Sequence, residues 1–271
     1  MKVHQIKIGF QVTEQVKRYV FVYLIEAQSC YLIDSGVAGC EIKIAQYMKK
    51  IGRDIAEIKG IFLTHAHPDH IGTAAWFKEH MGSKIYASAG ERRWIEDINL
   101  QYKERPIPNF CNLAGQSVNV DCEVRDGEAI ELEEGLTLQL FSTPGHSADE
   151  MSYRLKEYFF IGDSIPVKGD VPIYINKEEL LHSLQVIGKQ QEVTKYCPAW
   201  DCIYTAETIT EKLRDAAEFV DLLDQQTQIV LNEMGCSNMT AVTDAVCERM
   251  GMNYWKQNPL FQRTLQAHIK L

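Results

Sequence analysis

The 271-residue chain has no apolar run long enough for a membrane helix, no excess of positive charge, no C-x-x-C pair and no low-complexity tract. Its longest clean apolar stretch is Tyr19-Val-Phe-Val-Tyr-Leu-Ile25. That is far short of the roughly 20 residues a bilayer-spanning helix needs, so no membrane association is expected. Lys and Arg number 28 against 37 Asp and Glu, a net charge of −9. Nucleic acid and anionic membrane surfaces reward a basic face, so neither is expected as a partner. The opening residues, Met1-Lys-Val-His-Gln-Ile-Lys, lack the apolar core of an export signal, which predicts a cytoplasmic protein. Eight cysteines are scattered along the chain, and buried reduced thiols are expected in place of a disulfide framework.

What is present is an alternation of strand and helix patterns. Residues 19–27 and 30–34 are rich in β-branched and aromatic side chains and predict strands. Ile42, Ala45 and Met48 have helical spacing, residues 60–63 read as a short buried strand, and 71–81 again look helical. Strands are expected at 84–87, at 136–141 (where Leu136, Leu138 and Leu140 alternate), and as a pair at 151–155 and 157–161. Between 99 and 122 the periodicity breaks down around Arg105-Pro-Ile-Pro-Asn-Phe110. Prolines at this density predict an inserted loop, either a lid or a plain surface excursion. Beyond Tyr204 helical patterns dominate at 208–231, 239–249 and 260–271. Two units are therefore expected, residues 1–204 and a C-terminal helical subdomain, residues 205–271.

The stretch Leu63-Thr-His-Ala-His-Pro-Asp-His-Ile-Gly72 carries the chemistry. His65, His67, Asp69 and His70 fall within six positions of a chain holding only eight histidines. The strand ends just before them, and Pro68 stops regular structure from continuing. His65 and His67, two apart on an extended segment, point to one side. Imidazole and carboxylate are the ligands of catalytic zinc sites, and the cluster can hold one metal or be split between two.

Thr64-His-Ala-His-Pro-Asp-His70 resembles the H-x-H-x-D-H signature of the metallo-β-lactamase superfamily. Leu32-Ile-Asp-Ser-Gly36, Thr143-Pro-Gly-His-Ser147 and Gly162-Asp-Ser164 resemble other pieces of the same pattern, in order. The resemblance implies an α/β fold, an αββα sandwich with a metal cleft along one edge. It implies that His65, His67 and His146 hold one metal, that Asp69 and His70 hold a second, and that Asp163 bridges them. Zinc is the implied metal. The implied activity is attack on a small ester, thioester or lactone by a metal-bound hydroxide, with Asp69 orienting the nucleophile. Asp34, ending an apolar strand, is expected to brace the metal loop by hydrogen bonds.

The pattern departs from the family at one place. A further histidine after a late strand is usual, but here that stretch reads Tyr196-Cys-Pro-Ala-Trp-Asp-Cys202. Asp201 could replace the missing ligand and tilt the second site towards manganese or iron. Alternatively the second metal binds weakly, or Trp200 lines the substrate pocket or simply packs in the core. Two other readings stay open: sulfur dioxygenation at a single iron, and a degenerate member that binds without turnover. The C-terminal helices resemble a small helical domain appended to some members and could serve as a lid, for partner binding or in a homodimer.

Overall fold

Alternation in the first 26 residues builds one edge of the molecule. In the computed structural model, which describes residues 1–167, 169–235 and 238–269, strands β1 (Lys2–Gln11) and β2 (Lys17–Glu26) pair antiparallel along their whole length. On β2, Val20, Val22 and Leu24 face one side and Tyr23 and Ile25 the other, so both faces are buried. Four further strands complete the first sheet in sequence order: β3 (Cys30–Ile33), β4 (Ile58–Phe62), β5 (Lys84–Ser88) and β6 (Cys122–Val124). From β3 to β6 neighbours are parallel, so each connection must cross over. Helix α1 (Glu41–Lys50) makes the first crossover, and α2 (Pro68–Ile71) with α3 (Ala74–Met81) the second.

The third crossover holds α4 (Ala89–Glu96), α5 (Ile98–Glu104) and α6 (Phe110–Ala114). The segment expected as a loop over 99–122 therefore carries two short helices, separated and followed by loop. Its prolines are confined to the short link between α5 and α6, while Gln101, Phe110 and Leu113 are buried. Buried anchors hold this segment as part of the body of the fold.

The second sheet contains β7 (Ala129–Glu133), β8 (Leu136–Ser142), β9 (Met151–Leu155), β10 (Tyr158–Gly162), β11 (Lys195–Pro198) and β12 (Tyr204–Thr205). Strands β7 to β10 form an antiparallel meander, and α7 (Lys177–Gly188) carries the chain to β11, parallel to β10. Leu136, Leu138 and Leu140 face Tyr23, Ile33 and Phe62 across the gap between the sheets. Helices α1 and α3 bury Ile44, Met48 and Phe77 on the outer face of the first sheet. Helices α7 and α8 (Ala206–Met234) cover the second, through Leu184, Ile187, Ile209 and Ala216. The result is an αββα sandwich.

Helix α9 (Met239–Met250) packs on α8, and α10 (Pro259–Gln266) packs on α9. Their cluster of Val220, Leu223, Val246, Phe261 and Leu265 also takes in Tyr174 and Leu180, from the chain before residue 205. The helix expected to reach Leu271 ends at Gln266, and residues 270 and 271 lie outside the described residues. Cys30, Cys40, Cys197 and Cys247 are buried as expected, whereas Cys111 and Cys202 are exposed; Cys236 lies outside the described residues. Among the described residues no helix is long and apolar enough to cross a membrane.

One crossing is tight enough to demand glycine. A Cβ on Gly72 would overlap the backbone of Val37, Ala38 and Leu113 at once. None of these is the end of a flexible side chain, so the clash has no cheap escape. Gly72→Ala is expected to destabilise the protein by at least about 2 kcal/mol in equilibrium urea unfolding, although alanine ordinarily favours helix.

Candidate metal centre

Strand ends converge on one edge of the sandwich. β3 ends at Ile33 and delivers Asp34, β4 ends at Phe62 and delivers the segment 64–70, and β10 ends at Gly162 and delivers Asp163. The turn after β8 carries His146. Open α/β sheets place their binding crevices at such carboxyl ends.

Asp34 organises the centre. Its φ of 59° lies in the left-handed region, which aspartate tolerates better than most residues. Its Oδ1 accepts the Thr64 backbone N–H at 2.8 Å, and its Oδ2 accepts His70 Nδ1–H at 2.8 Å. Thr64 Oγ1 donates to the same carboxylate at 2.9 Å. Its proton thus committed, Thr64 Oγ1 accepts from His65 Nδ1, 3.0 Å away. His146 Nδ1 lies 2.7 Å from the carbonyl of Ile173, which can only accept. In its neutral form each of these three rings therefore carries its proton on Nδ1, leaving Nε2 as the inward lone pair.

Two of these nitrogens converge on a fourth ring. His65 Nε2 and His146 Nε2 each lie 2.9 Å from His67 Nδ1. One ligand atom from each of His65, His67, His146 and Asp163 lies within 4.8 Å of the others. His70 Nε2 and His146 Nε2 are each 3.4 Å from Asp163 Oδ2, and Asp69 Oδ2 is 3.7 Å from His70 Nε2. All six residues named from the sequence come together.

The donor set passes a simple test of fit for a divalent cation. Buried polar atoms normally find a partner. Here Asp69 Oδ2, His70 Nε2 and Asp163 Oδ1 are buried without a hydrogen bond. Nitrogens about 2.0–2.1 Å from a tetrahedral zinc sit about 3.3–3.4 Å apart, a few tenths of an ångström beyond the 2.9 Å that separates His67 Nδ1 from each of its two neighbours. Burial, with neighbouring positive groups, pushes His65 and His67 well below the ordinary histidine value, and burial pushes His146 down to about 4. Neutral imidazole is the ligand form. Burial alone would lower His70 too, but Asp163, Asp34 and Asp69 outweigh it and raise it. Burial likewise opposes ionisation of Asp163, yet His70, His146 and Trp200 hold it low.

The stretch that departs from the family pattern is resolved in two ways. Trp200, following β11, donates Nε1–H to Asp163 Oδ2 at 2.6 Å. Its indole packs edge-on against Phe10, and the Arg18 guanidinium lies 4.8 Å from its ring centre. Asp201 does not join the cluster, which corrects its expected role as a replacement ligand. Its carboxylate accepts the Cys202 N–H at 2.7 Å and the Tyr204 hydroxyl at 2.8 Å, with Lys212 Nζ at 3.4 Å. Among the remaining histidines, His182 is exposed, and His268 is buried between Tyr174 and Asp224.

A family profile described as "Metallo-beta-lactamase superfamily" matches residues 16–195. The chain belongs to the metallo-β-lactamase superfamily. It is 27% identical over 180 residues to a hydroxyacylglutathione hydrolase of Buchnera aphidicola subsp. Schizaphis graminum, covering 66% of this chain and 60% of that protein. It is 30% identical over 151 residues to a probable metallo-hydrolase, YqgX, of Bacillus subtilis, covering 55% of this chain and 64% of that one. The chain thus spans less than two thirds of these relatives. A crystal structure of a metallo-beta-lactamase family protein from Thermus thermophilus superposes with a TM-score of 0.72 at 17% identity. That superposition covers 98% of this chain and 91% of that one, and it supports the superfamily fold.

Several residues that support the centre left no signal in the sequence. Glu91, buried on α4, accepts the Ala66 N–H at 2.9 Å and the Asp149 N–H at 3.0 Å. Gln101 on α5 donates to the Ala66 carbonyl at 2.5 Å. The peptide between His65 and His67 is thereby held from both sides. Glu150 Oε1 accepts the Asp163 N–H at 2.8 Å and approaches so closely that a Cβ on Gly162 would overlap it. A lone Glu or Gln in a helix reads as a solvated face, and only its burial gives it away. Glu91→Ala should cost about 2 kcal/mol in chemical denaturation, because it leaves buried N–H groups unpaired. The same change should weaken zinc retention about 10- to 100-fold in a chelator competition.

Proposed function

We propose that this protein is a metal-dependent hydrolase of a small ester, thioester or lactone. The observation that carries the reading is the set of inward imidazole lone pairs beside three buried, unpartnered donor atoms. His65, His67 and His146 would hold one cation, Asp69 and His70 a second, and Asp163 would lie between them. Nitrogen-rich donors favour zinc. Because Asp201 is engaged elsewhere, the oxygen-rich second site that would tilt the choice towards manganese or iron loses its basis. A cation held here supplies Lewis acidity towards a carbonyl oxygen and lowers the pKa of water.

The chain's own residues do the rest. Asp69 Oδ2, buried yet free of hydrogen bonds, is the oxygen to orient an attacking water and accept its proton. Asp34 holds His70 and Thr64 still, which limits reorganisation during the reaction. Trp200 occupies a lone pair of Asp163 with an N–H and supplies no ligand of its own. The second site then has fewer protein donors than the first and binds its cation more weakly. Relatives named as hydroxyacylglutathione hydrolases support acyl-transfer chemistry and, within it, the thioester branch. The helical region 205–271 is proposed to act as a wall of the cleft, since Leu260 and Arg263 on α10 line it beside His146.

His67→Ala should retain the circular-dichroism spectrum and lose bound zinc by elemental analysis. Turnover of a panel of thioesters, esters and lactones should fall by orders of magnitude. Full activity and full zinc content in that variant would refute the reading. Trp200→His should raise occupancy of the second site when the protein is titrated with zinc. Unchanged stoichiometry and affinity would mean that Trp200 does not stand in the ligand position.

A further inference from the structure

The cleft beside His67 and His146 holds an unusual charge. Arg105, at the end of α5, is only 7% exposed, yet its guanidinium has no hydrogen-bonded or ion-paired partner among the described residues. It lines the same cleft as His67, His146 and Arg263. Burial pushes its pKa down to about 10, and Arg263 contributes in the same direction. A buried, unpaired guanidinium is costly, and proteins ordinarily pair such groups.

The acids nearest to Arg105 are already committed. Both Glu91 oxygens accept backbone N–H groups, from Ala66 and Asp149. Asp69 and Asp163 belong to the metal centre. Arg93, also on the rim, is paired with Glu104 at 2.5 Å and is not free to bind. Arg263, on α10, gives one N–H to the Glu104 carbonyl at 3.1 Å and keeps the others. Two guanidinium groups thus line one cleft whose carboxylate, Glu91, is already engaged by backbone N–H groups. Trp94, Tyr174 and Leu260 give the same cleft apolar walls.

We propose that Arg105, flanked by Arg263, is the receptor for an anionic group, a carboxylate or a phosphate, carried by the substrate next to the bond that is hydrolysed. Arginine suits either group, because its planar fork donates two parallel N–H bonds. The substrate is then an amphipathic acyl compound: its anionic end sits on Arg105, its apolar part against Trp94 and Leu260, and its reacting carbonyl beside the histidine cluster. This rests on the hydrolase reading for the word substrate, but the anion site itself can be tested without turnover.

The test uses the full chain loaded with zinc, wild type against Arg105→Met and Arg105→Lys, with zinc content and circular dichroism checked for each. Calorimetric titration with inorganic phosphate and, separately, with acetate tells the two anion sources apart. At least one should bind the wild type saturably, at least 10-fold more weakly to Arg105→Met, and with partial recovery in Arg105→Lys. Arg105→Met should also raise the melting temperature, because it removes an unpaired buried charge. In kinetics, a succinyl thioester and a phosphate-bearing thioester are compared with the uncharged butyryl thioester. An anionic preference in KM should be present in the wild type and lost in Arg105→Met. Equal anion affinity in wild type and Arg105→Met, at equal zinc content, overturns the proposal even if hydrolysis is confirmed. A lowered melting temperature with no change in anion binding assigns Arg105 a structural role and also overturns it. Loss of anion binding in Arg105→Met, with no thioester turned over by the wild type, upholds the anion site and counts against the hydrolase reading instead.

Discussion

The structure turns on one buried carboxylate. Asp34 sits at the end of a fully buried strand and accepts hydrogen bonds from Thr64 and His70. Through Thr64 Oγ1 it also sets the proton position on His65. Which ring nitrogen of a histidine carries a lone pair depends on what its other nitrogen does. Asp34 therefore decides that the inward nitrogens of His65 and His70 are acceptors, and the Ile173 carbonyl decides the same for His146. Nitrogen lone pairs and carboxylate oxygens gathered in a dry interior suit a cation placed among them. The fold holds them together because the strand ends leave them nowhere else to go.

Distant parts of the chain enforce this arrangement. The Tyr153 hydroxyl donates to Leu63 O at 2.6 Å, and Met151 N–H donates to Thr64 O at 2.9 Å, tying the second sheet to the segment that carries His65. The C-terminal helices reach the centre by another path. Thr264 Oγ1 donates to Pro172 O at 2.8 Å, and His268 joins Asp224 to the Tyr174 hydroxyl. Those contacts hold the segment that presents Ile173 O to His146. The tail is thus mechanically coupled to a member of the cluster, as well as being a wall of the cleft.

Charge shows how far a global property can stand from a local one. The whole chain is acidic, which argues against polyanionic partners. Yet the cleft presents Arg105, just after α5, and Arg263, on α10, while Glu91 beside them is engaged by backbone N–H groups. Net charge averages over the entire surface, whereas recognition samples a few ångströms.

The individual strands and the cluster His65, His67, Asp69 and His70 were legible because their signals are local, whereas the sandwich, His146 and Asp163 were legible only through the resemblance to the superfamily. Strand alternation in Leu136, Leu138 and Leu140, and three histidines with an aspartate within six positions, need no knowledge of distant contacts. The edge strands β1 and β7 were not legible, since they are half-solvated and mix Lys, Gln and Glu into their alternation. Nor was the helical character of 98–114, where Pro106 and Pro108 masked two short helices anchored by Gln101 and Leu113. The chain by itself determined the superfamily pattern and the residues able to bind a metal, because residue type and spacing suffice for that. Tertiary structure alone decided that Trp200 caps Asp163, that Asp201 turns to Tyr204, that Glu91 and Gln101 clamp Ala66, and that Arg105 is buried without a partner among the described residues. Each of these depends on which lone pair or N–H meets which neighbour, and such pairings arise only when segments far apart in the chain are packed together.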